Sequence, residues 1–206
     1  MRYNLGRAYQ KLGVFHKADA MYRESLEINR RLFGNEHPNV PFLLESLASV
    51  HKDSGDWNKA EALFREALNI KQAIHLKTIG NDPKHPADVS YLLDQIADCI
   101  VARGDLDGGE KLFREALAVR RKLCGKDTRV AYSLVRLANL LIARSSLTEA
   151  ESMFRESLSI QRKLWGDVPP DLAESLDGLA TITWRTLRKP SDPKIQQLMK
   201  EGLERV

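Results

Sequence analysis

The chain has little cysteine, no long apolar run and only a small surplus of positive charge, and each shortage argues against a class of protein. Two cysteines in 206 residues, Cys99 and Cys124, do not make a disulfide framework. A reducing, intracellular compartment, the cytoplasm, is therefore the default expectation. Apolar runs are as short as Leu140-Leu141-Ile142-Ala143, whereas a membrane-spanning helix takes roughly 20 such residues, so no membrane span is expected. Met1-Arg2-Tyr3-Asn4 leads straight into helical pattern without the apolar core of a secretory signal. Lysine and arginine total 32 against 28 aspartates and glutamates, a net charge of +4. That mild balance permits acidic partners but does not argue for nucleic acid, whose binders gather their charge in a stripe. No P-loop, Gly-x-Gly-x-x-Gly, nucleophile elbow or His-Glu-x-x-His occurs. The sequence thus offers no catalytic residue, cofactor, metal site or small-molecule substrate, and does not read as an enzyme.

What the chain does have is repetition. Lys59-Ala60-Glu61-Ala62-Leu63-Phe64-Arg65-Glu66-Ala67-Leu68 returns with small changes from Lys17, from Gly108 and from Glu149, with Ala18, Ala60, Gly109 and Ala150 spaced 42, 49 and 41 residues apart. A period of this size marks a solenoid, in which each unit buries its apolar face against its neighbours. Within each copy the apolar residues fall on one stripe of a 3.6-residue helix, Leu63, Phe64, Ala67, Leu68 and Ile70 in the second. Small residues at Gly6, Ala48, Ala97 and Ala138, and at Ala18, Ala60, Gly109 and Ala150, mark where two antiparallel helices approach closely. Gly13, Gly55 and Gly104 end the first helix of each pair, with Ser145 in the fourth such position. The second helices end at Phe33-Gly34, Ile79-Gly80, Cys124-Gly125 and Trp165-Gly166. There the glycine reads as a left-handed stop and the apolar residue as packing for the last turn, Cys124 included. The fold expected is all-α, a single array of about five helical hairpins over residues 1–206, with repeats near 1–40, 41–89, 90–130, 131–172 and 173–206.

Two repeats depart from the pattern. The second reaches its closing glycine four residues late, at Gly80, so its second helix is expected to run about one turn longer. The fifth is interrupted by Lys189-Pro190-Ser191-Asp192-Pro193 and then recovers its stripe at Leu198-Met199-Lys200-Glu201-Gly202-Leu203.

Leu5-Gly6-Arg7-Ala8-Tyr9, followed by Ala18, Tyr22 and Ser25, resembles the tetratricopeptide repeat (TPR). The longer period, with Gly34-Asn35-Glu36-His37-Pro38 in the linker, is similar to the variant in kinesin light chains and nephrocystin-like proteins. The resemblance covers essentially the whole chain. It implies a right-handed superhelix whose first helices line a concave groove. It does not extend to the Leu-Asn-Asn-Leu-Ala of kinesin light chain first helices. Those segments read Leu44-Glu45-Ser46-Leu47-Ala48, Leu93-Asp94-Gln95-Ile96-Ala97, Leu134-Val135-Arg136-Leu137-Ala138 and Leu176-Asp177-Gly178-Leu179-Ala180, and Asn4 alone keeps an asparagine of that pair. Carried over by position, the partner-binding candidates are Phe42, Glu45, Tyr91, Asp94, Asp98, Tyr132, Arg136 and Asn139. Tyr91, Asp94 and Asp98 share one helical face and, with Glu45 and Asp53, suggest an acidic patch beside aromatic rings that would take a basic or aromatic-anchored peptide. Solvated charges, with Tyr91 packed on the preceding repeat, are the structural alternative.

Other features read as structural. The basic clusters Arg30-Arg31, Arg120-Arg121-Lys122 and Arg162-Lys163 suit helix C-termini, with binding of an acidic polymer as the functional alternative. Arg23-Glu24, Arg65-Glu66, Arg114-Glu115 and Arg155-Glu156 read as surface and inter-repeat salt links. His37 and His85 read as linker hydrogen-bonding groups, and Asp105–Glu110 lacks the ligands of a calcium loop. The function expected is a protein–protein interaction scaffold that holds a peptide or helical segment of a partner protein. A regulatory or sensor segment of a larger multidomain enzyme or NTPase is the alternative. Tyr3 lies inside a first helix with no cap before it, so a piece of a longer array is expected. Leu5, Ala8 and Tyr9 leave self-association through that end open.

Overall fold

The computed structural model describes residues 2–77, 85–125, 127–165 and 172–187. Among them are nine helices and no strand: α1 (Arg2–Lys11), α2 (Phe15–Phe33), α3 (Asn39–Asp53), α4 (Trp57–Lys77), α5 (His85–Ala102), α6 (Leu106–Cys124), α7 (Thr128–Ala143), α8 (Leu147–Trp165) and α9 (Leu172–Leu187). Odd-numbered helices are the first of each expected pair and even-numbered ones the second. The chain forms two compact units, Met1–Gly125 and Lys126–Val206. In the first, each helix from α1 to α6 packs on the next. In the second, α7 packs on α8 and α9 on both. The fold is an all-α TPR-type solenoid.

The periodic stripe explains the packing. In the first unit Phe64, Ala60 and Ala67 of α4 are buried with Val40, Leu44 and Ala48 of α3 and Leu92 and Ile96 of α5. Ala18 and Tyr22 of α2 hold Leu47 and Val50 of α3 in the same way. Each aromatic sits at the crossing between its own pair and the next, where full burial of such a ring contributes about 1.5–3 kcal/mol. The small-residue positions are close approaches, as expected: a Cβ on Gly109 would run into Val101, and one on Gly6 into the Tyr22 ring. Gly178 is a further such place, under the Phe154 ring.

The turns inside each pair adopt positive φ at Gly13, Gly55 and Gly104, and at Ser145, whose φ is 62°. The ends of the second helices differ from expectation. Gly34 has φ 84° and ψ 171°, a glycine-only extended conformation rather than the left-handed helical stop. Its N–H still closes the helix on the Arg30 carbonyl at 3.0 Å. Phe33 does not pack the last turn: it is largely exposed and stacks on His37, centroids 4.6 Å apart. His37 Nδ1 in turn accepts from the Asn39 N–H at 3.2 Å, at the start of α3. Helix α4 has 21 residues against 19 in α2, α6 and α8, so part of the expected extra turn is present. The rest of that insertion, Gly80, Gly166, the side chains of His85, Cys124 and Trp165, and the second helix of the fifth repeat lie outside the described residues.

Candidate functional site

The first-helix positions named from the sequence separate into two kinds. Phe42 on α3 and Tyr91 on α5 occupy the same place in successive repeats, and both are half-exposed, at 49% and 43%. The Phe42 ring meets Tyr3 with centroids 5.1 Å apart, and Tyr3 meets Tyr22 at 5.6 Å. Burial pushes the Tyr22 hydroxyl up to about 12, with Tyr3 adding to the shift and Arg7 opposing it. It stays a neutral donor, to Gln10 Oε1 at 3.2 Å.

The acids are of the other kind, and here the expected acidic patch is corrected. Asp94 is fully buried and pairs with Arg120 of α6, itself buried. Glu45 pairs with Lys71 of α4 at 2.7 Å, with both side chains less than a fifth exposed. Asp98 receives Lys52 Nζ at 2.8 Å. Each acid faces a cation from a neighbouring helix, because a carboxylate turned into a helix interface is tolerated only when paired. These pairs are in register: the two positions lie 26 residues apart in both repeats. Arg120, read from the sequence as part of a basic helix end, is thus an interior partner, and Arg30 of the first basic cluster pairs with Glu66.

A second set of polar contacts ties successive repeats. Gln10 Nε2 donates to Ser49 Oγ at 3.1 Å and to Asp53 Oδ2 at 2.7 Å. Lys52, one repeat later at the same position, donates to Gln95 Oε1 and Asp98 Oδ2, both at 2.8 Å. On the second helices, each arginine of the recurring Arg-Glu pairs bonds the acid four residues before it: Asp19 to Arg23, Glu61 to Arg65, Glu110 to Arg114 and Glu151 to Arg155. That orientation favours the helix, and Glu66 of the second pair also links to Arg30 in the preceding repeat. Glu61 is also gripped at 2.6 Å by Arg103, in the turn that follows α5, and Asp19 by His51 from α3 at 2.9 Å.

In the second unit, Tyr132 repeats the half-exposed aromatic position, at 43%. Arg136 donates to its hydroxyl at 2.7 Å and lies 5.4 Å from its ring centre. Asn139 Nδ2 donates to Glu174 Oε1 of α9 at 3.2 Å. Leu176 and Trp184 of α9 are also half-exposed. Among the described residues no cluster of three His, Cys, Asp or Glu is placed to hold a metal. Asp105 instead caps α6, accepting from the Gly108 N–H at 2.8 Å. No helix among them is long and apolar enough to cross a membrane.

Reading along single helices missed Lys71 and the inward-facing Arg120, as it missed the cavity of about 510 Å³ lined by Tyr3, Asn29, Asn39 and Phe42 among others. The shared 26-residue spacing of acid and base was the signal available for the pairs.

Comparison with known proteins agrees with the fold. A search of curated proteins by sequence returns no match. Among solved structures, BtubC (BKLC) from P. vanneervenii aligns with a TM-score of 0.73 and 23% identity over 86% of this chain and 68% of that one. A Podosopora anserina protein described as a kinesin light chain with nearly identical TPR-like repeats aligns at 0.73 and 20%, over 97% and 90%. The apo form of RapI aligns at 0.75 and 11%, over 90% and 48%. The tetratricopeptide repeat model matches residues 1–73 and 88–163, well over half of the sequence. With that match, and an array resembling those of kinesin light chains, the chain belongs to the tetratricopeptide repeat family.

Proposed function

We propose that this repeat scaffold binds an extended or helical segment of a partner protein on the faces of its first helices, through apolar anchors rather than through charge. The observation that carries this reading is the recurrence of a half-exposed aromatic at one repeat position, Phe42, Tyr91 and Tyr132. The neighbouring acids Glu45, Asp94 and Asp98 are already held by Lys71, Arg120 and Lys52. Exposed rings flanked by ion-paired acids give contact area at low desolvation cost, which is how peptide-binding surfaces gain affinity. The test is affinity capture with mass spectrometry, comparing wild type with Phe42→Ala/Tyr91→Ala, both checked for helix content by circular dichroism. Partners held by wild type and lost by the variant support the reading. Partners held equally by both overturn it.

A further inference from the structure

We infer that the first repeat carries a subsite for an uncharged apolar side chain, aromatic or branched aliphatic, of a bound peptide, formed where the scaffold omits an ion pair. The second and third repeats each join their two helices with an acid and a base at fixed positions, Glu45 with Lys71 and Asp94 with Arg120. In the first repeat the same two positions hold Tyr3 and Asn29. Neither is charged, and a cavity of about 510 Å³ opens there. That is the size of a small ligand pocket.

Its walls state what fits. Ile28, Leu43 and the rings of Tyr3 and Phe42 provide apolar surface. The polar groups are amides arranged in a chain: Asn39 Nδ2 donates to Asn29 Oδ1 at 3.1 Å, and Asn29 Nδ2 to the Ser25 carbonyl at 2.9 Å. This leaves the Asn39 carbonyl oxygen to accept from a peptide N–H of the guest. Arg2 at the edge is held by Glu24 at 2.7 Å, so the lining carries no uncompensated charge. A charged guest would shed water for at most a share of the half-exposed Arg2–Glu24 pair. An apolar side chain would cover the exposed part of Phe42 and meet the tilted Tyr3–Phe42 ring pair. The subsite rests on the peptide-binding reading above and names the residue class that it selects.

The experiment is a ¹H–¹⁵N NMR titration of the full chain with N-acetylphenylalaninamide and N-acetyl-leucinamide, against N-acetyl-lysinamide and the α-amide of N-acetylglutamate. The neutral pair is expected to shift the amides of Ser25, Ile28, Asn29, Asn39 and Leu43, and the charged pair to bind about tenfold more weakly or worse. Tyr3→Glu/Asn29→Lys rebuilds the missing ion pair and should abolish the response. Asn39→Lys, at the exposed rim, should do the same without touching the core. Equal response to charged and neutral probes overturns the inference, as do shifts scattered over the chain or a response unchanged in both variants. Shifts that move on dilution of the protein alone would assign the cavity to a second copy and also overturn it. The two readings fail separately. A captured partner lost with Phe42→Ala/Tyr91→Ala but kept by Tyr3→Glu/Asn29→Lys sinks the subsite and spares the face. Specific probe binding with no partner lost does the reverse.

Discussion

At the scale of single residues, Ser145 holds a backbone conformation that its side chain opposes, and Asp94 a buried charge that its partner rescues. Ser145 takes the turn position that glycine fills at 13, 55 and 104, with φ 62°. A left-handed conformation costs an L-residue about 1–2 kcal/mol, and glycine's extra freedom in the unfolded chain returns roughly 0.5–1 of that. Ser145→Gly should therefore stabilise by about 0.5–1 kcal/mol, read as a higher urea midpoint at unchanged slope. An unchanged or lower midpoint would refute it. Asp94 poses the opposite case. Asp94→Ala leaves the Arg120 guanidinium buried without its carboxylate, a loss of about 3–5 kcal/mol, whereas Asp94→Leu/Arg120→Met should come out near neutral. If the double variant unfolds as readily as the single, the pair supplies more than charge compensation. The same geometry makes Asp94 a stability position, so a binding test that truncates it would lose the fold along with any site.

Single helices show how far the sequence could be read. The pairing of helices, the small residues at their crossings and the glycine turns were legible because each depends on one helix and its immediate neighbour in sequence. Asp94 was misplaced because its neighbours along α5, Tyr91 and Asp98, suggested a surface face. What decides its surroundings is Arg120 on α6, invisible to the periodicity of α5 alone. Phe33 was misplaced for a related reason: the glycine after it adopts an extended conformation that turns the chain toward His37 instead of the core. Caps are local, and one yields a pH prediction. Asp127 caps α7, accepting from the Arg129 N–H at 2.8 Å. Burial pushes its carboxyl up, but the Arg129 side chain, the backbone N–H groups of Arg129 and Val130 and the Arg129 charge outweigh that and hold it below its usual value. A carboxylate depressed by folding stabilises above its unfolded pKa, near 3.9, and loses that contribution as pH falls through the folded value. Asp127→Ala should cost about 1 kcal/mol at pH 7. The gap from wild type should close progressively below about pH 4. A gap that persists at pH 2 would mean that the aspartate acts through packing and not through its charge.

For the whole molecule, stability in an array whose helices pack on their chain neighbours is a sum of repeat terms and nearest-neighbour terms. In the unit Met1–Gly125 every helix from α1 to α6 is packed on the next, and the buried cluster around Phe64 is complete within it. The ion pairs Glu45–Lys71 and Asp94–Arg120 and the Gln10 and Lys52 ties also close inside that unit. Each of these contacts joins two residues that precede Lys126. A fragment of residues 1–125 should therefore fold by itself, with helical circular dichroism and one cooperative urea transition. Its slope should fall below that of the full chain roughly in proportion to the surface it buries. It should also keep the amide response to neutral amino-acid probes, since Tyr3, Asn29, Asn39 and Phe42 are all present. A fragment that is unfolded, or that melts without a cooperative transition, would show that the core around Phe64 needs the later helices. The additive description would then have to give way to one in which the entire chain folds as a unit.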